Sequence, residues 1–365
     1  NAMKKIMFFA AAAAMTAVSC NGLEGNSNVK DPVIGEIDVI EPWDLENIEL
    51  DYGNQSKTLN FEWLSEDSGT SYSILFSLDE EFSGVERVEC DGTSISLTHL
   101  ELDNLLSSLG VGEYRQGEVF WCVEGVNGNS SSRSEVRSMR LLRFYKPFSD
   151  PRDGEMYRVM RSADAMTGEY AVWLADNMRA TEYSDGTILT DEDVKFYAPV
   201  DGEDDGITAV LGGYYSWTAA VRGEKGSEYG EKIQGICPSG WHVPTRQEWE
   251  YLINNTPDNT QPGEALKDKN YWDAGAENKN TLGFNIVGAG YIWEPVKDNP
   301  VIEKGSSTYF WTSTVPQEGD SIPWDPDPAL FPAQALTFAF NKNDHGAALY
   351  PYNRQRGFNV RCVLD

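Results

Sequence analysis

Two domains are predicted for this chain: an all-β sandwich carrying a single helix, then a loop-rich module closed by a disulfide. Three observations predict them. From Pro32 to about Phe144, short runs alternate apolar and polar residues between turn signals, the period-2 pattern of half-buried strands. Two segments, Gly235-Ile236-Cys237-Pro238-Ser239-Gly240-Trp241-His242-Val243-Pro244-Thr245 and Gly357-Phe358-Asn359-Val360-Arg361-Cys362-Val363, each set a cysteine in an aromatic, strand-like context. About 345 residues remain once an N-terminal leader is set aside, enough for two domains. A 40% hydrophobic content with 11 tryptophans suffices for two cores.

The leader comes first. Asn1-Ala2 stand ahead of Met3 as added residues. Lys4-Lys5 form a positive n-region, and the apolar run from Ile6 to Val18 is too short to span a bilayer, so residues 1–19 read as a signal peptide. They lead into Ala17-Val18-Ser19-Cys20, which resembles a bacterial lipoprotein box with Ala17 where leucine is usual. Cys20 is then expected to carry lipid as the mature N-terminus; ordinary cleavage before Cys20 is the alternative. Residues 20–31, rich in Asn, Gly and Ser, follow as a flexible tether. Contact with a membrane is expected only through the lipid, and the expected location is the outer membrane, exposed at the cell surface.

In the first domain, residues 32–145, Leu59, Phe61 and Trp63 alternate with polar residues, and Tyr72, Ile74, Phe76 and Leu78 do the same. Further strand-like runs cover 85–90, 94–98, 119–123 and 136–144. Thr98-x-x-Glu101 is a capping box, Leu102, Leu105, Leu106 and Leu109 recur at helical spacing, and Gly110 stops the helix. About seven strands in roughly 110 residues predict a β-sandwich. Leu59-Asn60-Phe61-Glu62-Trp63 followed by Ser71-Tyr72-Ser73-Ile74-Leu75-Phe76-Ser77 resembles the immunoglobulin-like first domain of SusE-type surface lipoproteins of polysaccharide-uptake systems. The resemblance implies a spacer.

Beyond Cys20 there are four cysteines, Cys90, Cys122, Cys237 and Cys362, an even number that allows three connectivities in an oxidising compartment. Cys237 is expected to bond Cys362, tying the last strand to the middle of the second domain. Closing so long a loop stabilises by roughly 4–5 kcal/mol on the chain-entropy view. Cys90 and Cys122 lie in predicted strands and either form a second bridge or stay as buried thiols.

The formal net charge of −29 argues against nucleic acid and anionic lipid surfaces as partners. Asp201-Gly202-Glu203-Asp204-Asp205-Gly206 has the oxygen donors calcium takes, but most such runs are solvated loops, and no cofactor is expected. The three histidines, His99, His242 and His345, show no metal spacing, and there is no nucleophile elbow or phosphate loop. The chain is therefore not expected to be an enzyme.

The second domain opens with Asp150-Pro151-Arg152-Asp153-Gly154-Glu155-Met156-Tyr157-Arg158-Val159 and continues through Val172-Trp173-Leu174-Ala175-Asp176-Asn177-Met178 and Gly212-Gly213-Tyr214-Tyr215-Ser216-Trp217. The Cys237 segment runs into Glu248-Trp249-Glu250-Tyr251-Leu252. Then come Gly283-Phe284-Asn285, Ala289-Gly290-Tyr291, Tyr309-Phe310-Trp311-Thr312-Ser313-Thr314 and the Cys362 ending. This order of motifs over residues 148–365 resembles the Fibrobacter succinogenes major paralogous domain of bacterial surface lipoproteins. The resemblance implies an α+β, C-type-lectin-like fold related to the sulfatase-modifying-factor fold, with no common assigned chemistry. In that setting Thr245-x-x-Glu248 caps a helix that turns Trp249 and Leu252 inward, and Trp173, Trp217, Trp241 and Trp311 are expected in the core. The formylglycine-generating relatives need redox-active cysteines, whereas Cys237 and Cys362 read as structural. Sugar-binding C-type lectins hold calcium with Glu-Pro-Asn or Gln-Pro-Asp and Trp-Asn-Asp; this chain has Glu294-Pro295-Val296 and Trp324-Asp325-Pro326 instead.

Residues 316–357 read as one long irregular stretch, and in this kind of fold the loops before the closing strand are displayed on one face. Trp324, Asn341, Asn343, His345, Tyr350, Tyr352, Asn353, Arg354 and Arg356 are the candidate ligand-binding residues. Aromatic rings stack on sugars or peptides, and amides and guanidinium groups bind hydroxyls or carboxylates. The expected function is capture of an extracellular glycan or a host or partner protein, in adhesion or glycan uptake. A structural or pilus-type assembly component, and an enzyme or modifying factor on the same fold, are the alternatives.

Overall fold

The computed structural model describes residues 33–65, 69–163, 170–199, 206–223, 225–226, 231–256, 261–273, 278–294, 300–317, 333–344 and 346–365. The leader, Cys20, the acidic run 201–205, Trp324 and His345 lie outside the described residues. The chain divides into two compact units, Asn1–Tyr145 and Lys146–Asp365.

The first unit is two sheets on one core. One sheet orders β1 (Asp38–Glu41), β3 (Thr58–Leu64) and β6 (Ser94–Thr98). The other orders β2 (Glu46–Glu49), β9 (Arg137–Leu142), β7 (Gln116–Asn127), β4 (Ser71–Ser77) and β5 (Glu86–Cys90), with β8 (Ser130–Arg133) paired to β7. Alternation decides which side chains meet: Phe61 and Trp63 of β3 face Tyr72, Ile74 and Phe76 of β4 and Trp121 of β7 in a single apolar cluster. Helix α1 (His99–Ser108) begins at the Thr98 capping box, where Glu101 Oε2 accepts from the Thr98 backbone N–H, and it sends Leu102, Leu105 and Leu106 into that cluster. Behind it, Arg143 and Asp103 form a buried bidentate pair at 2.9 and 3.0 Å.

The bridge considered between Cys90 and Cys122 does not form, and both stay as thiols. Cys90 sits opposite Tyr72 on β4, and Cys122 opposite Leu75, on the other side of β4. The two cysteines are thus two strand spacings apart across the sheet and three residues apart along it, roughly 14 Å in all, beyond disulfide reach. They also point to opposite faces: Cys90 packs on the core cluster, while the core-facing neighbours of Cys122 are Trp121 and Val123.

The second unit is a set of small sheets around an aromatic core. Its central sheet orders β12 (Val159–Ala163), β13 (Tyr170–Leu174), β22 (Val363–Leu364) and β16 (Trp241–His242). A three-stranded sheet orders β19 (Ser307–Trp311), β20 (Gln334–Asn341) and β21 (Ala348–Asn353). Two-stranded pairs join β10 (Phe148–Ser149) to β11 (Met156–Tyr157), β14 (Val194–Phe196) to β15 (Gly213–Tyr215), and β17 (Tyr291–Ile292) to β18 (Val301–Ile302). Among the described residues the unit also has the short helices α2 (Ile207–Leu211), α3 (Trp217–Ala220), α4 (Arg246–Asn254) and α5 (Pro262–Leu266).

Its core is built on Trp249 of α4, whose ring lies 5.1 Å from Trp173, 5.2 Å from Phe310 and 5.6 Å from Phe338. Trp173, Trp217, Trp241 and Trp311 are all buried. Cys237 and Cys362 are bonded, with Cα atoms 5.8 Å apart across 125 residues of sequence, so the last strand is covalently held to the loop before β16. Gly290 is required where β17 begins: its φ is +70°, and a Cβ there would run into the carbonyl oxygen of Ile302.

Candidate functional site

Within the segment read as irregular loop, the described residues within 334–353 include a β-hairpin. β20 carries the period-2 run Gln334-Ala335-Leu336-Thr337-Phe338-Ala339-Phe340-Asn341, and it pairs β19 on one side and β21 on the other. Its two faces have different jobs. Phe338 and Phe340 enter the core around Trp249, with Phe310 of β19. Ala335, Thr337 and Ala339 fall on the opposite face, with Tyr309, Tyr350 and Tyr352 of the flanking strands. Pro351 is tolerated because β21 is an edge strand, where a missing N–H breaks no ladder.

The hairpin separates the expected binding residues. Asn341 and Asn343 lie at its turn end, where the buried Lys267 ammonium donates to the carbonyls of Asn341 at 2.8 Å and Asp344 at 2.9 Å. Asn353 pairs with Gln334, seven residues from Asn341 along β20, so the two ends stand roughly 24 Å apart. Tyr352, Asn353, Arg354 and Arg356 are brought together at the far end, with Tyr350 midway along β21 opposite Thr337.

There the chain makes a tight turn, Arg356 N–H donating to the Asn353 carbonyl at 3.0 Å and Gln355 N–H to Asn353 Oδ1 at 2.9 Å. Reciprocal backbone bonds between Gly357 and Ile292, 2.8 and 3.0 Å, pin that turn against β17. The turn presents two arginines, and each lies over a tryptophan. Arg354 sits 4.2 Å over Trp217 and donates Nε–H to the Gln334 carbonyl at 2.9 Å. Arg356 lies 3.2 Å over the Trp293 ring and donates to the Trp293 carbonyl at 3.0 Å. Trp293, Glu294, Asn353, Gln355 and Arg356 line a pocket of about 210 Å³.

An aromatic ladder runs beside this pocket. Ring centroids step from Tyr350 to Tyr352 (6.3 Å), from Tyr352 to Tyr309 (5.5 Å) and from Tyr309 to Tyr291 (5.2 Å). Phe358 floors it, stacked on Tyr309 at 4.9 Å. All four tyrosines are half-buried, while Trp293 is 48% exposed. Burial raises the Tyr352 and Tyr291 hydroxyls above their ordinary values, so these two stay neutral at physiological pH. Tyr352 and Arg354 therefore have packing roles as well as exposed edges.

Sequence reasoning missed Trp293 and Gln355 and read Tyr309 only as a core strand. The signal for Trp293 was present: Tyr291-Ile292-Trp293 alternates, and the buried Ile292 leaves both aromatic neighbours on the opposite face.

The fold and the site thus define a two-unit, disulfide-closed protein with an aromatic and cationic face on its second unit. The model of the Fibrobacter succinogenes major domain matches residues 169–364, more than half of the chain, and the chain belongs to that family. No curated protein and no solved structure matches it.

Proposed function

We propose that the second unit captures an extracellular glycan through the face formed by Tyr350, Tyr352, Trp293, Asn353 and Arg356. The observation that carries this reading is the continuous ladder of four tyrosines leading to a half-exposed tryptophan beside a pocket. Flat aromatic surfaces receive the C–H faces of sugar rings, and the exposed amides of Asn353 and Gln355 can donate to and accept from hydroxyls. Glu294 adds an acceptor. The face rests on strands and a pinned turn, so little order has to be created on binding, which favours affinity.

The reading extends to the rest of the chain. The second unit adopts a C-type-lectin-like α+β fold, supported by a last strand, β22, lying between β13 and β16 and held by the disulfide. The first unit is an immunoglobulin-like spacer, supported by its two-sheet packing. Cys20 carries lipid and holds the protein at the outer membrane, facing outward, as the lipoprotein-box resemblance suggests. The protein binds without catalysing.

A glycan microarray probed with the purified protein and with Trp293→Ala tests the binding reading. Binding that is lost with Trp293→Ala at unchanged melting temperature is the expected result. Wild-type protein that binds no glycan, or binding untouched by Trp293→Ala and Tyr350→Ala, overturns it.

A further inference from the structure

We infer that the pocket at Trp293 and Arg356 selects a sugar residue bearing a carboxylate, with the acid on Arg356 and the ring on Trp293. This rests on the glycan-capture reading and names the class of glycan.

The argument starts from charge pairing. The chain carries 58 acidic against 29 basic residues, so a surface arginine has carboxylates within easy reach. In the second unit Arg152, Arg158, Arg179, Arg222 and Arg246 each hold one. Arg354, Arg356 and Arg361 hold none among the described residues, and of these three Arg356 is the one that lines the pocket. It instead lies over the Trp293 ring, 3.2 Å from its centroid, and donates to the Trp293 carbonyl, two contacts to one residue that restrict the guanidinium and, among the described residues, leave others of its five N–H donors for a ligand. A guanidinium held in one plane matches a carboxylate bidentately, and it loses little freedom on doing so.

The surroundings fit an acidic sugar better than a free anion. Trp293 and the tyrosine ladder offer ring-stacking area that a small anion would not use. Asn353 and Gln355 are exposed amides beside the pocket, suited to hydroxyls. A neutral sugar would be served by the amides and the aromatic face alone, whereas a carboxylate adds a charge-assisted bond to Arg356. Burial lowers Arg356 from its ordinary value, and Tyr291, Glu294 and Tyr352 are the acidic groups that oppose that shift. Glu294 thus shares the pocket with Arg356 and competes with an incoming carboxylate. With a net charge of −29 the whole surface repels long polyanions, so a glycan with one or a few acidic residues fits best.

The test compares uronate-containing trisaccharides, one of galacturonate and one with a single glucuronate, with their carboxyl-reduced counterparts, by calorimetry on the whole protein at low and high salt. At least one acidic trisaccharide is expected to bind about tenfold or more tighter than its reduced form, with the preference shrinking at high salt. Arg356→Gln should erase that preference, and Glu294→Gln should enlarge it about threefold. The wild-type comparison of acidic and reduced forms needs no variant to fold. Equal binding of the two forms overturns the inference and leaves glycan capture standing. An acid preference that survives in folded Arg356→Gln protein also overturns it. Failure of every trisaccharide and of the microarray overturns both readings.

Discussion

His242 and Glu248 share a 2.7 Å hydrogen bond that joins strand β16 to the first turn of α4. The other nitrogen of the same buried ring meets Asp365 Oδ1, also at 2.7 Å. Glu248 meanwhile accepts from Thr245 N–H and Oγ1–H as the third residue of the capping box. One carboxylate therefore starts the helix that delivers Trp249 and anchors the histidine beside the closing strand.

Burial alone would raise the Glu248 carboxyl, but the His242 bond and charge, with Thr245, hold it below its ordinary value. A carboxylate depressed on folding contributes stability that is present above its unfolded pKa, near 4.3, and lost as pH falls through the lower folded value. Urea unfolding of the second unit is therefore expected to weaken below about pH 4.3. Glu248→Gln should lower stability at pH 7 and flatten that acid limb. An unchanged limb in the variant would show that other carboxylates control it.

Reduction or Cys237→Ser/Cys362→Ser substitution should cost the second unit about 2–5 kcal/mol and leave the first unit's transition in place. Urea melts followed by tryptophan fluorescence, with intact mass to confirm the redox state, measure this. Cys122, whose thiol is pushed up to about 11 by burial, should resist iodoacetamide in the native protein and react only on unfolding.

Tryptophan truncations should separate into two groups. Trp241→Ala, Trp249→Ala and Trp311→Ala remove buried rings and should destabilise by roughly 3–5 kcal/mol. Trp293→Ala removes a half-exposed ring and should change stability by only about 0.5 kcal/mol. Thermal melts of the four variants check the order; a Trp293 variant as unstable as Trp249→Ala would make that residue structural.

In the first unit, Asp103→Ala should cost about 3–5 kcal/mol, because it leaves the Arg143 guanidinium buried without its bidentate partner. The paired change Asp103→Leu with Arg143→Met should restore most of the loss. Chemical denaturation of the single and double variants reads this directly, and a double variant as weak as the single one contradicts it.

If the protein is lipid-anchored as proposed, mass spectrometry of the full-length protein expressed in a bacterium that processes lipoproteins is expected to find acyl chains on Cys20. An unmodified cysteine at the mature N-terminus would remove the lipid anchor from the proposal.

Local signals were legible in the amino-acid sequence because they depend on neighbours only. The Thr98 and Thr245 capping boxes, the alternation of Leu59, Phe61 and Trp63, and the inward turn of Trp249 and Leu252 all involve residues within a few positions of one another. The Cys237–Cys362 bond was legible too, since both cysteines lie in strand-like motifs of one domain and the family resemblance orders them. What the sequence could not set was which strands become neighbours. β4 lies between Cys90 and Cys122, and that placement, made by long-range pairing, keeps two plausible partners apart. The β20–β21 hairpin was hidden because the composition of 316–357 reads as loop, and Pro351 argues against a strand until β21 is known to be an edge. Only the tertiary structure separates Asn341 and Asn343 from Asn353 and Arg356, and only it lays Arg356 on Trp293, 63 residues away in the chain. Contacts at that separation arise from packing, where the ladder, the turn and the neighbouring strand together determine which side chains can meet.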